Sequence, residues 1–147
     1  MFRTLLLLLY DTVLICLAIE DYKYQKIRNG YVKIILLLAL ISMFVIPEIT
    51  VKSKMAGMFA VSIPMMIIRR ICLGGFGGGD VKLAFASGLF LGWKLLLKGT
   101  AASIFLAGGY SLWIFLSKSQ TRQFALGPFL SAGYVLMTII LFLETVS

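Results

Sequence analysis

Residues 2–21 read FRTLLLLLYDTVLICLAIED, and this stretch decides the fold class. It is apolar for about as long as a helix needs to cross the hydrocarbon core of a bilayer, roughly 20 residues. Five further apolar runs follow, near residues 31–47, 55–73, 80–93, 95–117 and 124–143, each bounded by charged or Gly/Pro-containing segments. The reading is an all-α, polytopic membrane helix bundle of about six transmembrane helices, one of them short. The short one is the fourth, since about 14 residues reach only about 21 Å at the helical rise. The opening run has Arg3 ahead of its leucines, as a secretory signal would. No small-residue cleavage site follows it and a charged Glu20-Asp21 pair does, so it is read as the first helix. With no repeat, low-complexity tract or linker, residues 1–147 are read as a single transmembrane domain.

Composition agrees. Of 147 residues 61% are hydrophobic and only 14% charged, and the mean hydropathy is +1.01, beyond the usage of a soluble domain. A net charge of +8 would suggest nucleic acid as partner in a soluble chain. Here the cations lie between apolar runs, where they read as topology signals and contacts with lipid headgroups, and no nucleic acid is expected. Cys16 and Cys72 are far apart and there is no histidine, so neither a disulfide framework, a metal site nor any cofactor is expected.

Counting cations on alternate sides gives Lys23, Lys26, Arg28, Lys33, Arg69, Arg70, Lys82, Lys118 and Arg122 on one face, against Arg3, Lys52, Lys54, Lys94 and Lys98 on the other. The richer face is expected to be cytoplasmic. Both Asp21 and Asp80 then fall at that face.

An acid inside a span is a functional hypothesis by default. The chain has six acids. Glu48 and Glu144 flank spans on the outer side, and Glu20 reads as a headgroup-level charge. Asp11 lies about 15 Å deeper than Asp21 along a helix; it reads as a hydrogen-bonded group facing the bundle, with a proton relay as the alternative. Asp21 opens the basic segment that ends in Ile27, Arg28, Asn29 and Gly30. Asp80 follows the glycine-rich stretch Gly74-Gly75-Phe76-Gly77-Gly78-Gly79 and precedes Val81, Lys82 and Leu83. Such glycines let another backbone approach the carboxylate closely. A nucleotide phosphate loop does not fit, because no Gly-Lys-Ser/Thr follows and an aspartate repels phosphate.

The stretch from Gly77 to Asp80 resembles the Gly-x-Gly-Asp motif of intramembrane aspartyl proteases, and Asp80, Val81, Lys82 and Leu83 resemble its extension in the prepilin peptidases. Asp21 followed six residues later by Ile27, Arg28 and Asn29 is similar to the same family's aspartate and Ile-Pro-Asn pattern, with Arg28 where proline is usual. Gly127, Pro128 and Phe129 resemble the motif that opens the family's last helix. The resemblance implies catalytic Asp21 and Asp80, supported by Gly77, Gly79, Lys82, Asn29, Gly127 and Pro128. It implies a single peptidase domain in the cytoplasmic membrane, cutting the leader from type IV pilin-like precursors at the cytoplasmic face. Many members also carry an insertion with paired CxxC zinc ligands and methylate the product; that insertion is missing here, as in the family's minimal forms.

Hydrolysis without a metal or a nucleophilic side chain needs one carboxylate to activate water and a second acid to protonate the departing group. The expectation places the base at Asp80 and the shared proton at Asp21. The rival reading is a small proton-coupled transporter relaying protons through Asp11, Asp21 and Asp80.

Overall fold

The computed structural model describes residues 1–72, 77–117 and 125–147, apart from the side chain of Thr145. Gly74, Gly75 and Phe76, and the Lys118 and Arg122 of the charge count, lie outside the described residues. Among the described residues five helices run in the order α1 (Phe2–Tyr24), α2 (Asn29–Val45), α3 (Val51–Ile71), α4 (Gly78–Leu116) and α5 (Gly127–Val146). Among the described residues all regular structure is helical. Four of the helices are long and apolar enough to cross a membrane, and α2 is a shorter apolar helix.

α4 is two segments. Gly92, at φ 76 and ψ 168, breaks the helical conformation between 78–91 and 93–116, a left-handed φ that glycine alone adopts freely. Contacts fix the direction of each piece. Tyr10 of α1 stacks on Phe90 with ring centroids 4.0 Å apart, while Asp80 shares a cavity with Asp21, so 78–91 runs antiparallel to α1. In the second piece Thr100 bonds Tyr134 at 3.2 Å and Tyr110 packs on Phe129 at 5.4 Å, so 93–116 runs antiparallel to α5. The chain therefore reverses at Gly92, and the five helices comprise six helical segments. Gly92 itself is pressed against Ile49 and Ser53, beside the α2–α3 connection.

The end opposite the aspartates is tied by Arg3, which pairs with Glu48 and reaches the Leu141 carbonyl at 3.4 Å. Glu48, expected to be a solvated flank, is exposed and serves as an ion-pair partner as well. Lys54 also departs from its expected part as a headgroup contact. It is fully buried, and its ammonium donates to the Ser42 carbonyl at 2.6 Å and the Ser42 hydroxyl at 3.0 Å. A cation on the last carbonyls of α2 meets the negative end of that helix. Hydropathy registers the charge of a lysine but not the helix end that can receive it. Asp11 accepts a hydrogen bond from Thr138 of α5 at 2.6 Å, in keeping with a bonded group facing the bundle.

α3 and α4 make the most extensive helix pair. α3 meets the first piece of α4 backbone to backbone at Gly57 and Gly88, where a Cβ on Gly88 would come within 2.8 Å of the Met58 nitrogen and closer still to Gly57. Small residues allow this approach where lipid offers no hydrophobic drive to pair helices. Gly88→Val is expected to cost about 1–3 kcal/mol by forcing the pair apart, read as a lower unfolding midpoint in detergent. Gly108→Val, at a glycine with nothing within 4 Å, serves as the control; equal shifts in the two would refute the packing account.

Candidate active site

Each resembled motif lies at a helix end on one face of the bundle. α1 carries Asp21 in its last turn and closes at Gln25, whose N–H donates to the Asp21 carbonyl at 2.7 Å. α2 starts at Asn29, α4 at Gly78 and α5 at Gly127. Pro128 occupies the first turn of α5, where its missing N–H costs no helical hydrogen bond and its fixed φ suits the helix.

Asp21 and Asp80 are buried at 5% and 7% exposure, yet both line one open cavity of ≈ 1160 Å³, together with Ile27, Asn29, Gly77, Gly79 and Lys82 among others. That volume exceeds the roughly 300–1,000 Å³ of small-molecule pockets and leaves room for a stretch of peptide. The two carboxyl groups are close enough for the charge of Asp21 to act on Asp80.

The glycines are explained by what occupies the place of their missing side chains. A Cβ on Gly127 would overlap the Asp21 carboxyl group, meeting Cγ at 2.8 Å and the nearer oxygen sooner, so Gly127 leaves the room that this carboxyl group occupies. A Cβ on Gly79 would meet the Ile27 Cβ at 2.6 Å, so Gly79 seats the loop that follows Asp21. The Gly77 N–H donates to Asp80 Oδ2 at 3.2 Å, holding the carboxylate over the first turn of α4. Lys82 donates to Asn29 Oδ1 at 3.0 Å, joining α4 to the start of α2. The structure thus brings Asp21, Asp80, Gly77, Gly79, Lys82, Asn29 and Gly127 together. Pro128 contributes the start of α5.

A family model, the type IV leader peptidase family, matches residues 8–112. The chain belongs to that family. A search of curated proteins and one of solved structures return no match. The match spans the segments around Asp21, Asn29, Asp80 and Lys82, and the packing of Gly127 on Asp21 adds to them a residue outside the matched range.

The peptidase also has contacts that the sequence reading missed. Glu20, expected to be a headgroup-level charge, is paired with Arg28 at 3.3 Å. Arg69, read as a plain topology signal, lays its guanidinium over Gly78, where a Cβ would come within 2.7 Å of Nη1. The signals were faint: Glu20 was marked by adjacency to Asp21, and nothing in the spacing linked Arg69 to Gly78.

Proposed function

We propose that this leader peptidase is an aspartic endopeptidase of the cytoplasmic membrane that removes the leader of type IV pilin-like precursors, with Asp21 and Asp80 as its catalytic pair. The observation that carries the reading is the convergence of two buried carboxyl groups on one cavity large enough for peptide. Two nearby carboxyl groups do not both ionise comfortably, so the pair holds one proton between them. The ionised member takes a proton from water as the oxygen adds to the scissile carbonyl carbon. The protonated member supports the developing oxyanion. Collapse of the tetrahedral intermediate breaks the C–N bond and the amine leaves with a proton from the pair. Asp80 receives the Gly77 N–H, and Asp21 lies against Gly127. The roles of base and proton holder are left to the pair, which acts as a unit.

The substrate arm of the test is direct: purified protein in proteoliposomes with a pilin-like precursor should yield a product whose new amino terminus, read by mass spectrometry, follows a glycine junction. An intact precursor would defeat the reading. The face is tested through Cys72, which is exposed at the end of α3 on the side of the aspartates. A charged, membrane-impermeant thiol reagent should label it in inverted vesicles and leave it unlabelled in right-side-out ones. The opposite pattern would move the site to the outer face.

A further inference from the structure

We infer that Glu20 and Arg28 form a polar clamp that positions Asp21, holding the α1–α2 connection as a proline would. This rests on the catalytic reading of Asp21 given above. The connection is under local strain, because Gln25 adopts φ 52 and ψ 33, a left-handed conformation that costs a non-glycine residue about 1–2 kcal/mol. Such a residue persists where its surroundings hold it. Asp21 lies one turn before it, and Ile27, two residues after it, packs on Gly79. Movement of the loop therefore changes how Asp21 faces Asp80.

One ion pair bridges the strained residue: Arg28 Nη1 lies 3.3 Å from Glu20 Oε1, eight residues away across the turn. Glu20 is the neighbour of Asp21 on α1, with a side chain 17% exposed. The acid next to the candidate catalytic residue is thus tied to the residue that caps α2. The backbone of Arg28 is at φ −71 and ψ 135, inside the range to which a proline ring would confine it. The chain keeps proline geometry at this position by side-chain pairing.

The test compares wild type, Arg28→Ala, Glu20→Gln, the double variant and Arg28→Pro in proteoliposomes with a pilin-like precursor. Arg28→Ala and Glu20→Gln should each lower kcat about fivefold, the scale of a single exposed ion pair, with KM little changed. The double variant should be no worse than the poorer single, because both remove one interaction. Arg28→Pro should recover most of the wild-type kcat. Additive losses, a change carried mainly by KM, or an Arg28→Pro protein as slow as Arg28→Ala would each overturn the clamp. A second readout is independent of activity: the rate at which trypsin cuts after Lys26, exposed in the same loop, should rise in Arg28→Ala and Glu20→Gln and fall back in Arg28→Pro. Unchanged rates would also overturn it. Failure of the wild type to cleave any precursor would sink the peptidase assignment of Asp21, while the proteolysis still decides whether Glu20 and Arg28 hold the loop.

Discussion

Asp21→Asn and Asp80→Asn should each abolish precursor cleavage, with losses of about a thousandfold or more, while the protein still inserts and folds. Asparagine keeps the shape of the side chain, and at position 80 it can accept the same backbone N–H from Gly77. It can neither take a proton from water nor hold one for the departing amine. Because the pair works as one unit, the double variant should be no slower than either single. Asp11→Asn should be much milder, since an amide can keep a hydrogen bond to Thr138. The measurement is the electrophoretic shift from precursor to mature product in membranes carrying each variant. Persistent cleavage by Asp80→Asn would defeat the mechanism. Loss of activity in Asp11→Asn equal to that in Asp80→Asn would favour a relay along the bundle.

Gly127→Ala is the second large effect. A single methyl group there would overlap the Asp21 carboxyl group. The carboxylate must leave its present position to admit it. A misplacement of about 1 Å at a reacting group costs about a hundredfold in rate, and this is the loss expected in kcat. Gly109→Ala, with open space around it, should retain activity. A fully active Gly127→Ala enzyme would show that Asp21 has another productive position.

The sequence made the membrane bundle legible because run length and charge spacing depend on local composition. The aspartates were legible because an acid in an apolar span has few structural explanations. What it hid were pairings made in three dimensions. Lys54 was counted with the headgroup cations, although the end of α2 receives it inside the protein. Glu20 was read as a headgroup-level charge, while its partner comes from residue 28, beyond the turn. Gly127 was legible as part of the motif that opens the last helix but not as the seat of a carboxylate, since no periodicity says which side chain fills the place of an absent one.

The reversal at Gly92 has a consequence for how the protein meets its lipids. A segment of about 14 residues facing the hydrocarbon would force the bilayer to thin around it, at a cost that grows with each ångström of mismatch. The segment 78–91 is sheathed instead: Leu83, Ala84, Ala86, Ser87, Gly88, Leu89, Phe90 and Leu91 are all buried. Its length answers to its protein neighbours, and the rule that sizes a lipid-facing helix does not apply to it. The depth of Asp80 accordingly follows from packing within the bundle, with α3 against α4 at Gly57 and Gly88, and the thickness of the surrounding bilayer has little hold on it.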